Sequence, residues 1–121
     1  MIPLTEKHIL NSILLELPKL GVTAFRANSG ESWVSSDVTD LPDGSKLLRN
    51  PRRFRSLVPG FSDIFGLTSD GRFIAIEVKT STGRVSDKQE NFLRVIRENG
   101  GIAGVARSVE DARKIIESRE T

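Results

Sequence analysis

Cysteine is absent from the chain and histidine occurs once, at His8. The first absence excludes disulfides, thiolate metal sites and a cysteine nucleophile. The second excludes a histidine-rich zinc site. Long apolar runs are also missing: nothing approaches the ~18 consecutive apolar residues of a membrane-spanning helix. The opening MIPLTEKHIL brings charge too early, with too few apolar residues, for a secretory signal. An intracellular, cytoplasmic protein without membrane contact is the expectation. At 121 residues, with 37% hydrophobic and 28% charged, the length permits one domain over residues 1–121, a single sheet covered by a few helices.

Acid is missing from one stretch in particular. The net charge is only +2, yet SKLLRNPRRFR, residues 45–55, carries Lys46, Arg49, Arg52, Arg53 and Arg55 without a carboxylate. Such a cluster is either a solvated loop or the electrostatic footprint of a polyphosphate partner. It sits within residues 29–59, where Gly30, Pro42, Gly44, Pro51 and Pro59 interrupt any sustained period. A long basic loop is expected there, and loops of that length are usually functional or mobile.

Elsewhere the periodicity is readable. Thr5 is a good N-cap for a helix whose Ile9, Leu10, Ile13, Leu14 and Leu17 form one apolar stripe, closed by Pro18 and Gly21. GVTAFRAN (21–28) reads as a strand, as do SDIFGLT and RFIAIEVK, joined at Ser69-Asp70-Gly71. A helix runs from Ser86 to Asn99, then a short strand over 102–107, and Ser108 caps a last helix. The order is α-β-(loop)-β-β-α-β-α.

The unusual feature lies at the end of FIAIEVK. Alternation puts Ile74, Ile76 and Val78 on one face and Phe73, Ala75, Glu77 and Lys79 on the other. The first face belongs under a helix; the second begins apolar and turns charged. Whether Asp63 joins Glu77 depends on the hairpin. A two-residue turn at Asp70-Gly71 puts the two acids on opposite faces. A three-residue loop, with Gly71 in the left-handed position such loops favour, sets Asp63 directly across from Glu77. The three-residue form is expected, and a bulge nearer Asp63 would give the same parity. Opposed carboxylates only ~5 Å apart repel. A divalent cation relieves that, and an all-oxygen site suits magnesium or manganese. The plainer alternative is a Glu77–Lys79 salt bridge at a strand end.

Taken together, SD followed after thirteen residues by EVK, in this element order, resembles the PD-(D/E)xK nuclease superfamily. RANSG (26–30), PGFSD (59–63), IEVK (76–79), G-x-x-S-x-x-Q (83–89) and NGG (99–101) resemble more narrowly the virus-type replication-repair nuclease (VRR-NUC) domain. The resemblance implies an α/β, restriction-endonuclease-like αβββαβ core, with a mixed central sheet flanked by helices and an extra C-terminal helix. It also implies a Mg2+- (or Mn2+-) dependent endonuclease. Asp63 and Glu77 match the metal-binding acids, with the Val78 backbone carbonyl and Glu6 as further candidate ligands. Lys79 matches the catalytic lysine and Gln89 a glutamine of the following helix. Gln89 is equally well read as the closing residue of a capping box with Ser86. Ser62 departs from the family pattern by standing where the superfamily name has proline. Arg26, Asn28, Lys46, Arg49, Arg52, Arg53 and Arg55 are candidate DNA contacts. The implied substrate is branched, flap or Holliday-junction DNA, cut in repair or recombination by a homodimer in the manner of a compact phage-encoded resolvase, with no small-molecule cofactor. A restriction-type duplex nuclease and a non-catalytic nucleic-acid-binding module are the alternatives.

Overall fold

Each helix begins at a side chain suited to capping. In α1 (Glu6–Glu16) the Thr5 hydroxyl accepts the His8 N–H at 3.2 Å, satisfying one otherwise orphaned donor. Pro18 then tightens the chain into a 3-10 turn, Leu17–Leu20. The computed structural model describes residues 4–27, 31–55 and 57–118. These gather into two compact units, one formed by the chain up to Ala27 and from Pro59 onward, the other by the stretch between.

The first unit is mixed α/β. After β1 (Thr23–Arg26) and the intervening segment, whose strands β2 to β5 are given below, come β6 (Ile64–Leu67), β7 (Phe73–Val78), α2 (Asp87–Glu98), β8 (Ile102–Ala106) and α3 (Val109–Glu117). The sheet order is β1-β6-β7-β8, antiparallel except for the parallel β7–β8 pair. Four mixed strands with three helices form the expected nuclease-like core, and α3 is the extra C-terminal helix.

Alternation along β7 decides what covers the sheet. Ile74, Ile76 and Val78 pack with Ile9, Leu10, Ile13 and Leu17 and with Ala112 and Ile116, so α1 and α3 cover that face. Phe73 and Ala75 face the side that meets α2, where Leu93 is buried and Phe92 packs on Phe61 with ring centroids 4.7 Å apart. Every residue of β7 from Ile74 to Val78 is buried, and the last but one of them is an acid.

Residues 31–55, expected as a loop, form two nested antiparallel ladders. Strand β2 (Glu31–Val34) pairs with β5 (Arg52–Arg55), and β3 (Asp37–Asp40) pairs with β4 (Lys46–Arg49). The strands are four residues each, too short to show a period between their breakers. Asn50, at φ 49°, and Pro51 separate β4 from β5, and the Leu41 N–H donates to the Ser45 carbonyl at 2.9 Å to close the tip. Among the described residues no helix is long and apolar enough to cross a membrane.

Ile13 is fully buried between α1 and the sheet. Ile13→Ala should cost about 3 kcal/mol, seen as a lower urea midpoint with an unchanged slope.

Candidate active site

The geometry starts with the β6–β7 turn. The Thr68 N–H donates to the Arg72 carbonyl at 2.9 Å, and the Gly71 N–H to the Thr68 carbonyl at 3.0 Å. Gly71 sits at φ 84°, which a residue with a β-carbon adopts only at a cost. This is the three-residue loop. The ladder then runs Leu67↔Phe73, Gly66↔Ile74, Phe65↔Ala75 and Ile64↔Ile76, and one further step sets Asp63 opposite Glu77.

At that step the strands leave regular pairing. Asp63 Oδ2 accepts the Val78 N–H at 2.8 Å, and the Asp63 carbonyl accepts the Ala27 N–H at 2.8 Å. Ser62, for which the sequence suggested no role, is fully buried and donates its hydroxyl to the Ile64 carbonyl at 2.8 Å. Glu77 is only 2% exposed. Its Oε1 accepts from Gln89 Nε2 at 2.9 Å, with Lys79 Nζ at 3.9 Å. Its Oε2 is buried and has no hydrogen-bond partner. An unpartnered carboxylate oxygen in such a place is costly.

Glu77 responds in its acidity. Burial first, then the neighbouring Asp63 charge and a hydrogen bond with Asp63, push its pKa up from 4.5 to about 8, while Lys79 pulls the other way. Two ionised carboxylates cannot donate to each other, which is why Oε2 stands alone when both are charged. A proton shared between them removes the difficulty. So does a cation.

Helix α2 is brought to this place by Gly60. At φ 81°, a β-carbon on Gly60 would stand 2.2 Å from the Lys88 carbonyl oxygen and 2.9 Å from the Gln89 nitrogen, so the PGFSD segment lies directly on the helix's first turn. Its signal in the sequence was a Pro-Gly pair just before the acid, read there as a motif without a reason. Gln89 closes the capping box and reaches Glu77 as well: its Oε1 accepts the Ser86 N–H at 2.9 Å, its backbone N–H donates to Ser86 Oγ at 3.1 Å, and its Nε2 remains for Glu77.

Asp63 and Val78 also line a cleft of about 170 Å3 with Glu6, Lys7, Leu10 and Arg26. Glu6 and Arg26 therefore share the cleft with Asp63, and Lys7 joins them without having been singled out in the sequence. Among the described residues no group of three or more acids or histidines converges, so Glu6 completes no three-carboxylate cage. The donors fit a hard divalent ion of the magnesium type, which takes one or two carboxylates and fills its remaining positions with water and substrate oxygens. The orphaned Oε2 is the observation that favours this.

The second unit changes the view of the basic run. Lys46 pairs with Asp40, and Arg49 lies 3.8 Å from Asp37, both across the β3–β4 ladder. Arg53 stacks over Trp33 at 5.6 Å. Arg52 is exposed across from Val34, and Arg55 pairs in the ladder with Glu31. Acids distant in sequence thus return to a stretch that has none of its own. Asn28 lies outside the described residues.

Two outcomes follow. Without metal, the folded chain holds a proton on Glu77 that the unfolded chain has already lost above pH 4.5, so stability should fall as pH rises from about 4.5 to 8, by on the order of a few kcal/mol. Thermal melts in chelator measure this, and Glu77→Gln should flatten the slope; an unaltered slope in that variant would place the titration elsewhere. Gly60→Ala should cost about 2–3 kcal/mol and shift the amide resonances of Lys88 and Gln89, read by denaturation and NMR.

Comparison with known proteins agrees with this geometry. No curated protein matches the chain. The VRR-NUC domain family matches residues 5–110, from the cap of α1 to the first turn of α3. Since that match takes in both acids, the lysine and Gln89 within nearly the whole chain, the protein belongs to the VRR-NUC family of nuclease-type domains.

Proposed function

We propose that the chain is a divalent-metal-dependent DNA endonuclease that hydrolyses phosphodiester bonds in branched substrates (flaps or four-way junctions), with magnesium or manganese as the ion. The observation that carries the reading is the closeness of Asp63, just before β6, to Glu77 in β7, with one buried carboxylate oxygen left unpartnered. Asp63, Glu77 and the Val78 carbonyl would hold the ion, with Glu6 at the rim of the cleft. When bound, the ion supplies a water of lowered pKa and charge stabilisation at the phosphoryl oxygens.

The chain's own residues do the rest. Gln89 fixes the Glu77 carboxylate by donating to Oε1, which leaves Oε2 directed away from it. Lys79 orients the attacking water and stabilises charge developing on the phosphate. Its ammonium, 3.9 Å from Glu77 Oε1, is assigned this orienting part rather than that of the base. Arg26 and Lys7 supply positive charge within the cleft. Lys46, Arg49, Arg52, Arg53 and Arg55 contact phosphates in a way that carries no sequence information. With Asp37 and Asp40 paired to two of them, that grip is weaker than the linear run suggests. A symmetric homodimer would set one acid pair against each strand of such a junction.

Labelled duplex, flap and four-way junction should be incubated with magnesium, with manganese and with chelator. Flap or junction should be cut only with metal, and Lys79→Ala should slow cutting on the order of 10²-fold or more. Uncut DNA throughout would turn the reading to a non-catalytic binding module, and equal cutting of plain duplex to a restriction-type enzyme.

A further inference from the structure

Arg107 stands directly after β8. That strand's last residue, Ala106, pairs with Val78 and accepts the Lys79 N–H at 3.1 Å. The Arg107 backbone N–H donates to Asp111 Oδ2 at 2.9 Å, in the first turn of α3 that Ser108 caps. Its side chain turns back toward β7. A single guanidinium nitrogen, Nη1, donates to the Thr80 carbonyl at 2.6 Å and to the Gly83 carbonyl at 2.7 Å.

Those carbonyls belong to the first and last residues of the turn that follows Lys79. The Gly83 N–H closes this turn on the Thr80 carbonyl at 3.2 Å. The turn folds back onto Lys79: a β-carbon on Gly83 would lie 3.4 Å from Lys79 Cδ and 3.3 Å from Thr80 Oγ1. Lys79 itself is 14% exposed at its side chain, with its ammonium 3.9 Å from Glu77 Oε1. At that distance the ion pair alone is a loose restraint on a stem of four methylenes. Something must hold the stem.

We propose that Arg107 is the positioning residue for Lys79. It fastens both ends of the 80–83 turn, keeps Gly83 against the lysine's methylenes, and so directs the ammonium to the acids. The chemistry suits the task. Bonds from a guanidinium are charge-assisted and roughly twice as strong as neutral ones. Both protons of Nη1 are committed to carbonyls, so this nitrogen braces the turn rather than gripping a DNA phosphate. Thr80, Ser81 and Thr82 line a cleft of about 500 Å3 with Arg107, Leu4 and Ile9, so one side of the turn is open.

This inference rests on Lys79 acting as described under the proposed function, so its test carries a readout independent of DNA cutting. Arg107→Ala and Arg107→Lys should be compared by melting temperature, by amide exchange at Gly83, by the ε-methylene NMR signal of Lys79 (assigned with Lys79→Arg), and by cleavage kinetics. In Arg107→Ala the Gly83 amide should exchange faster, the Lys79 signal should move toward that of a free lysine, and kcat should fall on the order of 10²-fold with KM unchanged. Arg107→Lys, whose ammonium can also bridge two carbonyls, should recover part of each. If Arg107→Ala does not fold, Arg107→Lys carries the comparison, with partial losses expected. An unmoved Lys79 signal in a folded variant overturns the proposal, as does a rise in KM at constant kcat. A native protein that cuts no DNA would sink the nuclease reading, while the Gly83 and Lys79 signals would still decide the clamp.

Discussion

Two carboxylates are forced together at the end of a strand that cannot turn away, and most of the molecule bears on that constraint. Strand β7 is covered by α1 and α3 on one face and by α2 on the other, so its backbone is fixed before Glu77 is reached. Glu77 is itself only 2% exposed, on the face opposite the buried Ile76 and Val78. Asp63 is held in turn by the Val78 N–H. Folding thus pays for a repulsion that only a proton or a cation relieves, as is common where a site is built into a core.

Part of this was legible before any coordinates. Periodicity located α1, β7, α2 and α3, because each buries one face against the sheet and alternation or helical spacing must then show. The loop 69–71 was legible through Gly71, since few residues tolerate its backbone angle, and that loop sets the register that runs up to Ile64↔Ile76, next to Asp63. Gln89 was open to two readings, as cap and as site residue; the cap is formed, and the same amide has a donor left that reaches Glu77. Gly60 and Arg107 were not legible. Their partners are backbone atoms far along the chain, Lys88 and Gln89 for one and Thr80 and Gly83 for the other, and no local pattern announces such contacts.

The stretch 31–55 shows why charge read along a chain misleads. Antiparallel pairing folds an acidic strand, Asp37–Asp40, onto a basic one, Lys46–Arg49, and the excess seen in the linear run largely cancels. These pairs are exposed, so each contributes little to stability. Their effect is on the field presented to a polyanion. In β5, Arg52 stands across from Val34 and Arg53 over the Trp33 ring.

The chain enters that stretch just after Ala27 and leaves it just before Pro59, and Ala27 is already hydrogen-bonded to Asp63. β1 and β6 are therefore neighbours in the sheet whatever happens between them. Topologically the whole excursion is the loop of one wide hairpin, and loop closure grows only logarithmically with length, about 0.6 kcal/mol per doubling. A change in the length of this excursion therefore costs little, and it leaves untouched the β1–β6 and β6–β7 registers, which are set outside it.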